Sequence, residues 1–417
     1  MRRILLAVSC GAILVAACGA PVGGVAPAGG DYRLFEAAAN ASSQFISVVD
    51  SRSHTTVRRL PLGTPTRNWA HLYSVNGTEL VDTDPRTGAT LHSLPLDGEY
   101  SLPPATASGL PGGLSQNGKW LVLESWEGHS PSPPTATHLL VVDTSFILPP
   151  ERIDLSGWFQ FDAVSNDGSR LYLIEYLSGA DYRVRIYQVL DHQLDPTVVV
   201  DKLDPKESMT GWRLGGVPSP DGSWLFSVYA RDKDNAFIHA LTLDGAPIAF
   251  CLDLAGSGYS SNPDEARWAL ALSSDGSRLY AANAAMGLVS EIDTTGPSLA
   301  RTAHIAASAT STAALVPSVE AKELGANTAV LSGDGRVMVT AGSSGVVWID
   351  TSTLTVARRA LSDWHVWSLG LSPDGRTLFA LKDSGEVAQL SMASGAVEST
   401  FDARAGYPIA LMRVEAA

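Results

Sequence analysis

A strand-turn-strand phrase that recurs along the chain, two alternating runs behind most copies, and a turn glycine about every 50 residues predict an all-β fold, a single β-propeller of four-stranded antiparallel blades. The phrase reads LSQNGKWLVLES at 114–125, VSNDGSRLYLIEY at 164–176, PSPDGSWLFSVYA at 218–230, LSSDGSRLYAANA at 272–284, LSGDGRVMVTAG at 331–342 and LSPDGRTLFALK at 371–382. Asp-Gly or Asn-Gly between apolar runs supplies the positive φ a hairpin turn needs, and the leading Ser bonds the turn backbone. Third strands follow, ending in an aspartate and small polar residues, as in GVVWIDTS at 345–352, and then fourth strands such as LTVARRAL at 354–361.

In chain order, residues 1–18 (MRRILLAVSCGAILVAAC) pair two arginines with an apolar run too short to span a bilayer, which is the layout of a secretory signal. Val15-Ala16-Ala17-Cys18 resembles the lipobox of bacterial lipoproteins, which implies cleavage before Cys18 and acylation (palmitate) of its thiol; the other reading is an ordinary signal with an incidental cysteine. Residues 19–30 are Gly, Ala, Val and Pro without charge and read as a tether. Residues 31–417 are the propeller domain. The expected location is therefore the cell envelope, lipid-anchored to a membrane and facing the periplasm or the cell exterior. Cys251, in the apolar run AFCLDL, reads as a small buried hydrophobe.

The turn glycines Gly77, Gly118, Gly168, Gly222, Gly276, Gly335 and Gly375 mark seven unit starts. The remaining residues at the two ends make an eighth unit, split so that YPIALMRV (407–414) is its first strand and YRLFEAA (32–38), FISVVD (45–50) and TTVRRLPL (55–62) are strands two to four. Eight blades are favoured, and seven is the alternative, because the unit after Trp69 is short and lacks one strand in this reading. The Ser-Pro-Asp-Gly turns at 219–222 and 372–375, with second strands such as Leu279-Tyr280 and third strands ending Ile-Asp, resemble the lactonase-like and WD-repeat-like propellers of bacteria. That resemblance speaks to fold, and such folds host unrelated activities.

The chemistry in the sequence is sparse. The chain has 29 Lys plus Arg against 43 Asp plus Glu, a net charge of −14, the wrong sign for a grip on nucleic acid. There is no Gly-x-Ser-x-Gly elbow, the nine histidines have no zinc spacing, and SPDGSW (219–224) lacks one residue of a sialidase Asp box. No catalytic residue, metal or cofactor is expected, and a monomer is expected. Five tryptophans do fall eight or ten residues before a turn glycine: Trp69, Trp158, Trp212, Trp268 and Trp367. With Arg67, Arg213, Arg267 and His365 beside them they form a candidate ring at one channel mouth, suited to stacking on sugars or aromatic rings and clamping a carboxylate. The competing reading is packing between blades. Pro-, Gly- and Ser-rich insertions at 99–113, 125–137 and 306–326 are further candidate surfaces. The leading expectation is a non-enzymatic, membrane-tethered propeller that binds a protein partner or ligand. The alternatives are a lactonase-like enzyme acting on a lactone or sugar at the channel mouth, and a structural envelope component.

Overall fold

The turn phrases do form hairpins, and their side chains explain why. The computed structural model describes residues 30–128, 132–178, 181–205, 209–305, 328–403 and 406–417; Cys18 and most of the tether lie outside them. In each Ser-x-Asp-Gly turn the Ser hydroxyl donates to the Asp two residues on, as in Ser165 Oγ to Asp167 Oδ1 at 2.6 Å, and accepts the N–H of the residue opening the second strand, as from Arg170 N at 3.0 Å. The glycine stands at positive φ, +74° at Gly168. The aspartates closing the third strands act alike: Asp350 Oδ1 accepts from Ser352 N at 2.8 Å and Ser352 Oγ at 2.6 Å.

Eight antiparallel sheets follow one another, and first strands of neighbouring sheets pack side by side around an axis, so eight blades are present. In blade 1, Tyr407–Ala416 is the innermost strand and pairs with Tyr32–Ala39, followed by Gln44–Asp50 and Thr55–Pro61; the register runs from Tyr32 opposite Ala416 to Ala39 opposite Tyr407. Both ends of the chain thus close one blade, as the split repeat predicts. Blade 2 holds residues 64–95, blade 4 159–194 with a short added strand at 209–210, blade 5 212–253, blade 6 269–304, blade 7 329–360 and blade 8 366–402.

Blades 2 and 3 depart from the expected pattern. In blade 2 the first strand is only Thr64–Pro65, and Gly77 turns between the second and third strands, Leu72–Asn76 and Glu79–Thr83, not between the first and second. The first turn is Thr66-Arg67-Asn68-Trp69. Thr66 Oγ1 donates to Asn68 Oδ1 at 2.9 Å, His71 N donates back to Thr66 Oγ1 at 3.1 Å, and Trp69 takes the glycine's place at φ +56°. The blade therefore has all four strands. Blade 3 is the one that lacks a regular first strand: its sheet is Trp120–Glu127, Ala136–Asp143 and Glu151–Ser156, with isolated bridges of Ser101 to Glu124 and Leu114 to Leu121.

The core lies in layers between blades. Phe226, Ile238 and Leu252 of blade 5 meet Leu279 and Ile292 of blade 6, and Tyr32 and Leu34 of blade 1 meet Phe379 and Leu381 of blade 8. Trp348 is fully buried against blade 8, its indole N–H donating to the Met392 carbonyl at 3.1 Å. Cys251 is only partly buried, packed on the layer between blades 4 and 5.

Candidate ligand-binding site

Where blade 3 should supply an innermost strand, residues 103–112 instead form a hairpin. Ala105 N donates to the Leu110 carbonyl and Gly112 N to the Pro103 carbonyl, both at 2.7 Å, and Gly109 turns the tip at φ +82°. The hairpin touches opposite sides of the ring: Ala107 N donates to the Leu214 carbonyl of blade 5 at 2.9 Å, while Leu110 packs on Ala37, Ile409 and Ala410 of blade 1. Arg213 Nη2 donates to the Pro104 carbonyl at 2.6 Å, and Thr64 Oγ1 to the Gly112 carbonyl at 2.6 Å. A segment held by blades 1, 2 and 5 crosses the axis, so it plugs the channel.

The plug separates two mouths. At the turn end, a cavity of about 550 Å³ is lined by Arg67, Gln116, Asp162 and Pro220. At the other end lie two spaces, both touching plug residues Thr106 and Ala107. One is an open groove of about 540 Å³ lined by Trp126, Trp158, Tyr176 and Trp212. The other is a pocket of about 110 Å³ lined by Arg267, Trp268, His365 and Trp367.

The nine predicted residues therefore do not form one ring. Trp69 and Arg67 stand at the opposite end from the other four tryptophans, Arg267 and His365, because Trp69 is a turn residue and not a strand opener, while Arg213 borders the cavity at the turn end and the groove at the other. Its indole packs on Phe35 at 4.9 Å and under the Arg413 guanidinium at 5.4 Å, while Arg67 Nη1 donates to the Pro220 carbonyl at 2.8 Å. Trp158 and Trp212 sandwich Tyr176, with centroids at 4.4 and 5.9 Å. Trp212 is 38% exposed and Trp268 only 5%, so the ligand-facing reading suits the first and the packing reading suits the second. Sequence reasoning flagged 99–113 and 125–137 as candidate surfaces, but singled out neither Trp126 nor Tyr176 and did not foresee that 103–112 crosses the channel. Tyr176 ends the LYLIEY run, where alternation alone places a ring beside a neighbouring blade's strand opener.

Arg213 is structural. It pairs with buried Asp162 at 2.6 Å; burial, the largest single influence, works against its charge, yet the Asp162 carboxylate together with Tyr229 and Tyr176 raises the guanidinium above its ordinary pKa. Glu124, beneath the plug, is pushed up to about 8 by burial, against the lowering effects of the Phe161 N–H at 3.2 Å and the Arg213 charge. Among the described residues no group of three metal-ligating side chains comes together.

An eight-bladed propeller with a channel plugged from its own third blade, and an aromatic groove on one face, defines the class. No family model matches the sequence, and no curated protein matches it. The structure is similar to that of the dihydro-heme d1 dehydrogenase NirN in complex with DHE, with TM-score 0.52 and 13% identity over 93% of this chain and 75% of that one. It is similar also to apo AztD from Citrobacter koseri, with TM-score 0.56 and 11% identity over 93% and 98%. Both are β-propeller proteins, and at these identities the likeness shows the fold alone.

Proposed function

We propose that this protein is a lipid-anchored, extracytoplasmic propeller that binds, without chemistry, a ligand carrying a sugar or aromatic ring in the groove of Trp126, Trp158, Tyr176 and Trp212. The observation that carries this is the Trp158-Tyr176-Trp212 stack beside the plug: large, partly exposed rings whose geometry is fixed before a ligand arrives. Two of the groove's indole N–H groups are already engaged: Trp126 Nε1 donates to the Phe159 carbonyl at 2.9 Å and Trp212 Nε1 to the Tyr259 hydroxyl at 3.3 Å. The ring faces remain to do the binding.

Geometry also supports binding over lactone chemistry. Arg213 lines the groove with its guanidinium committed to Asp162 and Pro104, whereas Arg267 and His365 line the separate pocket. The three do not converge on one reacting atom. Anchoring fits as well. Residue 31 lies at the turn end of blade 1, where Asp31 accepts from Ala417 N at 2.9 Å, so a tether from Cys18 would hold the turn face toward the membrane and the groove away from it.

Titration of tryptophan fluorescence with oligosaccharides and aromatic acids tests the site. Trp158→Ala and Trp212→Ala are each expected to weaken the wild-type ligand tenfold or more, a loss on the order of 1.4 kcal/mol. Unchanged affinity in both variants moves the site elsewhere. Palmitate labelling that is lost in Cys18→Ala supports the anchor, and equal labelling overturns it.

A further inference from the structure

Three large apolar side chains stand out at adjoining tips of the turn face: Ile147 and Leu190 are each 81% exposed and Leu148 is 55% exposed. Their loops lie at the turn end, since Thr144 Oγ1 donates to the Gly118 carbonyl at 2.7 Å in blade 3 and Val189 N to the Ser169 carbonyl at 2.9 Å in blade 4. His192 Nδ1, 2.8 Å from Glu151 Oε1, ties one loop to the other. A single exposed leucine is ordinary on a protein surface, but three on neighbouring tips make a patch. Leu91, Leu299 and Val397 add exposed apolar side chains within the first two residues of fourth strands, which open at the same end in blades 2, 6 and 8.

The first of these loops is stiff. Phe146 stands at φ +57° and packs inward, its ring 5.2 Å from that of His92 in blade 2. Asp143 Oδ2 accepts from Leu148 N at 3.3 Å, and Pro149 and Pro150 follow. With Phe146 inside, Ile147 and Leu148 are held out at the tip.

The path of the chain says what meets this face. Tyr32 Oη donates to Asp374 Oδ2 in the blade 8 turn at 3.3 Å, so the chain enters the ring at the turn end. Residues 19–30, as a flexible chain, have an r.m.s. span of about 19 Å. An acylated Cys18 would keep the turn face within that reach of lipid, at an effective concentration no free partner matches. The net charge of −14 has the wrong sign for anionic headgroups, which leaves the contact to apolar side chains.

We propose that the turn face rests on the bilayer, with Ile147, Leu148 and Leu190 inserted among the headgroups down to the boundary with the acyl chains. This inference rests on the anchoring reading and deepens it: the lipid anchor holds the protein at the membrane, and the patch sets which way the ring faces.

The test is photolabelling of the full chain, reconstituted in phosphatidylcholine vesicles that carry a diazirine on one acyl chain, with the adducts mapped by mass spectrometry. Adducts across 145–150 and 188–192 are expected at about ten times the level in 209–216 on the groove face. The triple variant Ile147→Ser, Leu148→Ser and Leu190→Ser alters only exposed side chains, and is expected to keep its palmitate and lose about tenfold of those adducts. Wild type that carries palmitate without adducts on these loops overturns the membrane contact and leaves the anchor standing. Adducts there on a chain that carries no palmitate overturn the anchor and leave the contact standing. Unchanged adducts in the triple variant overturn the contact, because proximity alone would then account for them. Cross-links between two copies at these loops, in place of lipid adducts, overturn it in favour of self-pairing.

Discussion

Trp69 shows how one residue hides a repeat. It holds a left-handed conformation that costs a bulky side chain roughly 1–2 kcal/mol, and contact with Phe35 and Arg413 offsets that cost. The glycines in the equivalent turns fall into two kinds. A Cβ on Gly168 would lie 2.3 Å from the Trp120 indole of the preceding blade, whereas one on Gly375 would meet nothing within 4 Å, and both residues stand at positive φ. Gly375→Ala is expected to cost about 1 kcal/mol through backbone strain alone, and Gly168→Ala about 2–4 kcal/mol because the indole must also move. Chemical denaturation of the pair reads the difference, and equal losses would mean that turn tips do not interlock. Asn117 and Asn166 show the same interlocking, with Asn117 Nδ2 donating to the Asn166 carbonyl at 2.7 Å and Asn166 Nδ2 to the Asp221 carbonyl at 3.0 Å.

At the scale of elements, the plug is held by one charged side chain. Arg213→Ala strips the partner from Asp162, whose side chain is 1% exposed, and frees the Pro104 carbonyl. A loss of about 3–5 kcal/mol is expected, because an unpaired buried carboxylate remains. Arg213→Lys keeps a charge beside Asp162 but forfeits the second, forked contact to the plug, so thermal unfolding should place it between wild type and Ala. If the two variants match, the contact to Pro104 contributes nothing. The plug also marks where the sequence was legible and where it was not. Blades 4 to 8 announce themselves because each carries Ser, Asp or Asn, and Gly at fixed spacing, residues whose local hydrogen bonds need no tertiary partner. Residues 103–112 carry Pro103, Pro104, Gly109, Pro111 and Gly112, which say only that a regular strand ends there. Where such a hairpin goes depends on Leu214, Arg213 and Ala410, distant in sequence and unremarkable in it. Likewise the tryptophan spacing revealed strand openers in four cases, but not which neighbours each indole would meet.

For the whole molecule, two buried acids set an unusual pH profile. Glu36 in blade 1 is pushed up to about 8, by burial first and then by the Asp402 charge, and Glu124 in blade 3 is raised to the same region by burial. Between pH 4.5 and 8 each is protonated in the folded chain and ionised in the unfolded one. The folded state binds more protons there, and stability falls as pH rises. The turn aspartates act the other way: Ser273 and the Ser277 N–H and hydroxyl hold Asp275 down to about 2, and Asp221 and Asp334 are lowered by similar bonds, so their contribution is lost only as pH falls below the ordinary carboxylate range. Thermal unfolding midpoints are expected to peak near pH 4–5 and to decline toward pH 8. Glu36→Gln and Glu124→Gln should each flatten the alkaline limb, and a wild-type slope in both would show that other groups cause it.

The pairing of Tyr32–Ala39 with Tyr407–Ala416 sets a clock as well as a shape. The earlier of these strands precedes the other seven blades in the chain and its inner neighbour follows them, so one flank of blade 1 exposes a bare strand edge while those blades are being made. Contacts this remote in sequence form slowly. A holding chaperone that masks a lone β edge would find its target here, at the first-made strand of the ring, until Tyr407–Ala416 has been made.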